Sequence, residues 1–156
     1  QRALLVVLID AGKAVLACML AGLLLAPYGF AAQGRLLGGL FVLLGHVYPA
    51  LQGLRGGKGI LSGWFVAWCV DWRIALAIGV VFFVVYFSTR YVSIGSVLGV
   101  VTFGAGFVVL YHEDVWMWLG GVLMSLLCLF AHRSNIVRLL KGQEKKTDLF
   151  SRGKRI

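Results

Sequence analysis

A glycine-rich segment with two cations is the part of the sequence best suited to chemistry. The segment GLRGGKG occupies residues 53–59, between two apolar stretches. Its glycines permit turns in which several N–H groups face one point, and Arg55 and Lys58 add full positive charges there. The helix predicted to follow would direct its positive N-terminal end at the same point. The segment therefore predicts a phosphate-binding site, with a flexible connector as the alternative. The glycines assigned to this site are Gly56, Gly57 and Gly59.

A second polar group, HRSNIVR at residues 132–138, follows the last apolar stretch. On a helix, His132 and Asn135 share one face, and Arg138 lies a further three residues along it. This face combines a candidate base or donor, an amide and a guanidinium that is suited to bidentate contact with phosphate oxygens. A basic anchor for anionic lipid is the alternative, but it does not account for the histidine or the asparagine.

A third polar group lies within otherwise apolar sequence. Asp10 and Lys13 are three residues apart on one helical face, so they can neutralise each other. Ionisable residues inside a membrane cost about 2.5–3.5 kcal/mol each, and such a pair indicates either a functional site or a structural pair that orients the helix. His46, by itself, is more typical of helix packing than of catalysis. We assign supporting roles to Asp10, Lys13 and His46.

Membrane helices are the elements that must position these groups. Hydrophobic residues make up 60% of the 156-residue chain, and the mean hydropathy is +0.91, which excludes a water-soluble domain built on one core. Apolar segments of membrane-spanning or nearly membrane-spanning length predict an all-α, polytopic transmembrane bundle of six helices. Their ranges are 3–25, 36–52, 57–71, 74–88, 93–111 and 115–131.

The distribution of charge predicts the orientation of this bundle. If the short segment at 60–70 crosses the membrane, most loop cations, including Arg55 and Lys58, lie on the cytoplasmic side, as the positive-inside rule favours. Both chain ends then face the cytoplasm, and the three polar groups converge at that face. We therefore predict a transmembrane domain over residues 1–140 and a disordered, basic cytoplasmic tail over residues 141–156.

Four segments give the chain a resemblance to a known family. They are LIDAGKA, GHVYPALQGLRGGKG, RYVSIGS and HRSNIVRLL. In this order they resemble the conserved blocks of the bacterial acyl-phosphate:glycerol-3-phosphate acyltransferases, and the similarity covers nearly the whole chain. The resemblance implies a polytopic inner-membrane enzyme of about seven helices, without metal or nucleotide. It also implies transfer of an acyl group from acyl phosphate to the 1-hydroxyl of glycerol 3-phosphate, which gives lysophosphatidic acid for phospholipid synthesis.

The resemblance further implies roles for individual residues. Lys58, His132 and Asn135 would act at the substrate site, while the glycines of the loop would cradle the phosphate of the acyl phosphate. Two departures matter: Arg55 replaces the usual lysine and keeps its charge, whereas Ala131 replaces the usual arginine and removes a cation. The family's first helix and first conserved loop have no counterpart here. The chain is therefore expected to be truncated at its N-terminal side, with seven helices in the complete fold.

An acyl phosphate is already activated, so covalent catalysis is unnecessary. Positioning and stabilisation of the charge on the departing phosphate are expected to dominate. The hydroxyl proton could pass to a substrate phosphate oxygen or to His132, and the sequence does not choose between them. The rival function is a small transporter or channel for an anionic metabolite, with the cations lining a path. The almost purely apolar spans after residue 60 favour catalysis at one membrane face.

The expected partners are acyl phosphate, glycerol 3-phosphate and membrane lipid. No nucleic acid, obligate protein partner, cofactor or metal is expected. The three cysteines are scattered through apolar sequence without metal-ligand spacing, so we expect them to be small core residues. They are Cys18, Cys69 and Cys128.

Overall fold

Helices make up the regular secondary structure of residues 2–49 and 56–147, the parts of the chain that the computed structural model describes. The side chains of residues 2–4 lie outside that description. A single turn of 3₁₀ helix at Ala26–Tyr28 joins the first two helices. The prediction of an all-α bundle is confirmed. The α-helices are α1 (Arg2–Leu25), α2 (Ala31–Val47), α3 (Ile60–Val70), α4 (Trp72–Thr89), α5 (Val92–Leu110), α6 (Val115–Ala131) and α7 (Arg133–Leu140).

Three of these helices, α1, α4 and α5, are long and apolar enough to cross a membrane. The pair α6 and α7 is a fourth candidate span, bent by 58° at its break. The apolar helices α2 and α3 are shorter, at 17 and 11 residues. Because α3 packs against α1, α2, α4 and α5, the short helix is shielded by longer neighbours. The chain is a multi-pass membrane protein.

Residues 2–49 and 56–147 form one α-helix more than the six predicted, because the chain bends at His132. At the end of α6, the backbone N–H of His132 donates to the carbonyl of Cys128 at 3.0 Å. At the start of α7, the carbonyl of His132 accepts the N–H of Asn135 at 2.9 Å. The polar sequence that follows the last apolar stretch therefore forms a separate helix. This bend turns the face shared by His132 and Asn135 toward the end of the bundle.

Helix α2 also begins earlier than predicted, at Ala31 instead of residue 36. Gly29, with a φ of +81°, ends the preceding turn in a conformation that favours glycine. The polar residues of the first turn are stabilised by neighbouring helices: Gln33 donates to the carboxylate of Asp114 at 2.6 Å. The polar residues before position 36, which the prediction placed between the first two spans, therefore belong to the first turns of α2.

Glycines on α2 allow it to approach α1 closely. A Cβ on Gly34 would lie 2.5 Å from the carbonyl oxygen of Ala21, and a Cβ on Gly38 would lie 2.4 Å from that of Ala17. Both distances are too short for any side chain. The small residues of the two helices therefore form a close crossing of the kind that holds membrane helices together without a hydrophobic driving force.

Polar side chains mark the two ends of the bundle. At one end, which we call the Asp71 end, the carboxylate of Asp71 accepts hydrogen bonds from the N–H of Arg73 at 2.8 Å and its guanidinium at 2.7 Å. The hydroxyl of Tyr111 donates to the same carboxylate at 2.9 Å. Because the Arg73 side chain stabilises the charged form, the pKa of Asp71 lies below its ordinary value. The opposite end, which contains Gly59, carries the polar groups described below and is called the Gly59 end.

Candidate functional site

Asp10, Lys13 and His46 form one hydrogen-bonded cluster at the Gly59 end. The ammonium of Lys13 lies 2.6 Å from Asp10 Oδ1 and 2.6 Å from His46 Nδ1. Asp10 Oδ1 is also 3.5 Å from the same ring nitrogen. Helix α1 supplies the acid and the amine, and the last turn of α2 supplies the histidine. The structure therefore joins the three residues that the sequence assigned as supporting groups.

Gly56 and Gly57 pack directly onto the end of α2. The N–H of Gly56 donates to the carbonyl of Val47, and the N–H of Gly57 donates to the carbonyl of His46, each at 3.1 Å. A Cβ on Gly57 would lie 2.1 Å from Nε2 of His46, so only glycine fits against this ring. These two N–H groups are thus engaged with the protein, which leaves anion binding to the residues that follow.

Lys58 and Gly59 are the last residues before α3. Lys58 is exposed, and Gly59 adopts a φ of +78°, which turns the chain into the helix. A Cβ on Gly59 would lie 3.1 Å from Sγ of Cys128 on α6. Among the described residues, no protein acceptor takes the N–H of Lys58 or Gly59. The loop therefore contacts α6 and presents a cation, two N–H groups and the positive end of α3 at one place.

His132 lies on the other side of this contact. Its side chain is buried, with 2% of the residue exposed. Nδ1 is 2.8 Å from the carbonyl oxygen of Cys128, and because a carbonyl only accepts, Nδ1 carries the hydrogen. In the neutral ring, Nε2 is consequently the proton acceptor. The positive charge of Lys58 is near enough to act on this ring. The structure thus brings the glycine loop and His132 together.

Asn135 is buried in a separate network with two residues that sequence reasoning did not select. Its Nδ2 donates to Ser93 Oγ at 2.8 Å and to Glu144 Oε1 at 2.9 Å, and Ser93 donates to the same carboxylate. The carboxylate fixes the amide orientation, because it can only accept. Within the described ranges, Asn135 Oδ1 has no hydrogen-bond partner. This oxygen is therefore a buried acceptor whose hydrogen-bonding capacity is unused by the described residues.

Glu144 also binds Arg138, whose Nε donates to Oε2 at 2.6 Å. Hydrogen bonds from Ser93, and then from Arg138, hold the pKa of Glu144 at about 2, below its ordinary value of 4.5. Further along, the N–H of Thr147 donates to the carbonyl of Arg90 at 3.0 Å. The first residues of the predicted tail are therefore packed against α4, α5 and α7. The separate basic tail stays a prediction, as do the roles of the site residues.

Two apolar cavities begin where the glycine loop ends. One is a groove of about 150 Å³ between α3 and α4. The other is a narrow space of about 20 Å³, lined by residues from Gly59 at the loop to Met124 and Ser125 inside the bundle. Both are lined by Ile60, Trp64 and Ile78. The indole N–H of Trp64 donates to the carbonyl of Ala75 at 2.8 Å, which fixes the ring between the cavities. Apolar space thus adjoins the cationic end of the loop.

Two of the site's groups could have been found by another signal in the sequence. Ser93 lies in RYVSIGS, one of the segments that carry the family resemblance, and Glu144 is one of two acids among the cations of residues 141–156. An acid in a basic segment suggests a specific ionic partner. Arg55, which was assigned to phosphate binding, lies outside the described residues.

The described geometry defines a class of protein: a multi-pass membrane bundle with a cationic glycine loop and a buried histidine at one end. A family model described as glycerol-3-phosphate acyltransferase matches residues 1–142. The glycerol-3-phosphate acyltransferase of Finegoldia magna is 36% identical over 128 residues, which cover 80% of this chain and 65% of the relative. That of Neisseria meningitidis serogroup C is 31% identical over 146 residues, covering 94% and 72%.

Solved structures agree with these relatives. A crystal structure of PlsY (YgiH), an integral membrane glycerol 3-phosphate acyltransferase in its glycerol 3-phosphate form, superposes with a TM-score of 0.78 at 28% identity and covers 95% of this chain and 74% of that one. Its lysphosphatidic acid form gives a TM-score of 0.77. The chain belongs to the glycerol-3-phosphate acyltransferase family, as the sequence resemblance predicted. It spans 65% of the length of the Finegoldia relative.

Proposed function

We propose that the chain transfers an acyl group from an acyl phosphate to the 1-hydroxyl of glycerol 3-phosphate and so forms lysophosphatidic acid. Family membership supports the acceptor and the reaction class. The observation that carries the proposal is that Gly59 packs against Cys128, whose carbonyl binds the His132 ring, beside an apolar groove. A phosphate donor with a long acyl chain requires all three features: a cationic seat, a nearby proton acceptor and an apolar channel.

The phosphate of the donor would bind where Lys58 and the N–H groups of Lys58 and Gly59 meet the first turn of α3. These donors are preorganised, because Gly56 and Gly57 fix the preceding backbone on α2. Negative charge accumulates on the phosphate as the acyl–oxygen bond breaks, so donors aimed at it stabilise the transition state more than the ground state. Lys58, being exposed, is free to reach the departing group.

The acyl chain would lie in the groove between α3 and α4. The lining is apolar throughout: Ile60, Leu61, Trp64, Ile78, Gly79, Phe82 and Phe83. Its volume of about 150 Å³ is below the roughly 300–1,000 Å³ of typical ligand pockets, so it would hold only part of a long acyl chain. A chain that enters beside Ile60 leaves its carbonyl carbon close to Lys58. The groove therefore explains why an anion site should adjoin apolar space.

In the chemical step, the hydroxyl oxygen of glycerol 3-phosphate attacks the acyl carbon, the new ester bond forms, and phosphate departs with the electron pair of the broken bond. The hydroxyl proton passes to Nε2 of His132, because Nδ1 already carries a hydrogen. Asn135 Oδ1 would accept a hydrogen bond from a glycerol hydroxyl. The proposed site faces the cytoplasm of a bacterial inner membrane, as the distribution of cations favours.

The test incubates the purified chain in lipid nanodiscs with palmitoyl phosphate and radiolabelled glycerol 3-phosphate. Labelled lysophosphatidic acid is expected from palmitoyl phosphate and not from palmitoyl coenzyme A. Product only from the coenzyme A ester would refute the donor assignment. Uptake of label into sealed vesicles without acylation would support the transporter instead.

Two variants test the site within this assay. Lys58→Ala should lower the turnover by about 10²-fold, the typical effect of losing one donor to developing charge. Lys141→Ala is the control, because this cation is exposed on the same end of the bundle and has no proposed role. Equal losses in the two variants would mean that overall positive charge, and not the position of Lys58, supports the reaction.

A further inference from the structure

We infer that His46 is a positioning residue, which holds the glycine loop as a neutral ring with its hydrogen on Nε2, and that Lys13 and Asp10 enforce this protonation. The inference rests on the proposed function only for the identity of the ligand that the loop binds, the phosphate of the acyl donor. Its evidence is the chain of contacts that leads from Asp10 through Lys13 and His46 to Gly57. None of these contacts involves His132 or Asn135.

The protonation follows from the partners of the two ring nitrogens. Lys13 Nζ lies 2.6 Å from Asp10 Oδ1 and 2.6 Å from His46 Nδ1. An ammonium group only donates, so Nδ1 must accept, and the neutral ring then carries its hydrogen on Nε2. Asp10 Oδ1, at 3.5 Å from Nδ1, would favour a proton on that nitrogen. The ammonium is closer to Nδ1 and already neutralises the carboxylate, so it excludes that proton.

The loop is fixed by both the backbone and the ring of His46. The carbonyl of His46 accepts the N–H of Gly57 at 3.1 Å. The Nε2 edge of the ring occupies the space that a side chain on Gly57 would need, with Nε2 at 2.1 Å from the ideal Cβ position. Because Lys58 follows Gly57 directly, the orientation of this ring determines the position of Lys58 relative to α2.

This arrangement also separates the two histidines by role. The only ring nitrogen of His46 that could take a proton from a substrate is already bonded to Lys13. Nε2 of His132, in contrast, is the acceptor nitrogen of its ring, because Nδ1 donates to Cys128. His46 therefore orients the phosphate seat, while proton transfer falls to the other histidine.

Nitrogen NMR of isotopically labelled histidine in nanodisc-embedded protein tests the protonation directly and needs no substrate. His46 should show a hydrogen on Nε2 near neutral pH, and Lys13→Met, which keeps the length of the side chain without its charge, should release this preference. A hydrogen on Nδ1, or a doubly protonated ring, in the unmodified protein would overturn the inference. Circular dichroism of each variant confirms that the helices are retained.

Two conservative substitutions test the positioning role. The amide of His46→Gln can place an N–H near the position of Nε2, whereas the shorter amide of His46→Asn can only replace Nδ1. Gln should therefore retain several-fold more activity than Asn, because only the longer amide fills the space beside Gly57 that Nε2 occupies. The difference should appear in KM for palmitoyl phosphate, with KM for glycerol 3-phosphate unchanged. Equal values for Gln and Asn would refute the role of Nε2.

Binding of inorganic phosphate separates this inference from the proposed function. Phosphate should bind His46→Gln more tightly than His46→Asn, as measured by calorimetry on the nanodisc-embedded chain. If the chain did not use acyl phosphate but retained this difference, the proposed donor would be wrong and the positioning role would stand. Loss of the difference in an active enzyme would refute the positioning role alone.

Discussion

Gly57→Ala is the substitution whose effect can be worked out most directly from the structure. The added Cβ would lie 2.1 Å from Nε2 of His46 and 2.8 Å from Cε1. An ordinary contact begins near 3.4 Å, so the ring and the loop must separate by about 1.3 Å (3.4 minus 2.1). The ring cannot move freely, because Lys13 holds Nδ1. Most of the displacement therefore falls on the loop and on Lys58.

A displacement of about 1 Å at a catalytic group can lower a rate by roughly 10²-fold. We expect this loss in kcat/KM for palmitoyl phosphate, together with a destabilisation of about 1–3 kcal/mol from overpacking. The assay is acyl transfer in nanodiscs, with thermal unfolding measured in parallel. Gly45→Ala is the matched control: Gly45 lies one residue before His46, and a Cβ there has nothing within 4 Å.

A second substitution isolates the ring as the cause. In the double variant Gly57→Ala, His46→Ala, the added methyl group no longer meets an imidazole, so the second change should cost less than it does alone. If Gly57→Ala were as active as Gly45→Ala, or if the two changes at 57 and 46 were additive, the packing of the loop against His46 would not control the position of Lys58.

Three further predictions concern other parts of the molecule. Gly79→Leu should fill the groove beside Trp64 and weaken the binding of palmitoyl phosphate by about 0.8 kcal/mol for each methylene displaced. Binding of the shorter decanoyl phosphate should be much less affected. Equal losses for both donors would mean that the acyl chain lies elsewhere. Glu144→Gln should release residues 141–147 from α5 and α7. In the unmodified chain the same release should occur as the pH falls from about 4.5 toward 2, because the pKa of Glu144 is lowered in the folded state. Hydrogen exchange of the Thr147 amide would measure both effects. Asp71→Ala removes the N-terminal cap of α4 and should cost about 0.5–2 kcal/mol or more, seen as a lower unfolding temperature with kcat unchanged at a temperature where the protein stays folded.

The helical class and the polar groups at one end were predictable, because each depends on local pattern. Apolar length predicts membrane helices, and the alternation of antiparallel spans brings Asp10, His46 and His132 to the same end. The bend at His132 was not predictable from apolar length alone, since the polar residues after it lack the length of a span. Its cause is the hydrogen bonding of His132 to both helices.

The anion seat shows the limit of reasoning from glycine content. A cluster of glycines predicts free N–H groups, but the N–H groups of Gly56 and Gly57 are bonded to the end of α2. Their small size serves close packing against His46, which depends on a residue ten positions away. Similarly, the hydrogen bond from Ser93 to Glu144 joins residues 51 positions apart, and no local sequence pattern predicts a contact between residues so far apart in the chain.

The contact between Gly59 and Cys128 lies between two groups of helices: α1, α2 and α3 pack on one another, and α5 packs on both α4 and α6. The groups also meet where α2 packs on α6 and where α3 packs on α4 and α5. Lys58 belongs to the first group and His132 to the second. Bilayers of different thickness change the tilt of membrane helices, so the separation of these two side chains depends on the lipid around them. The proposed acyl transfer should therefore proceed at different rates in thin and thick bilayers.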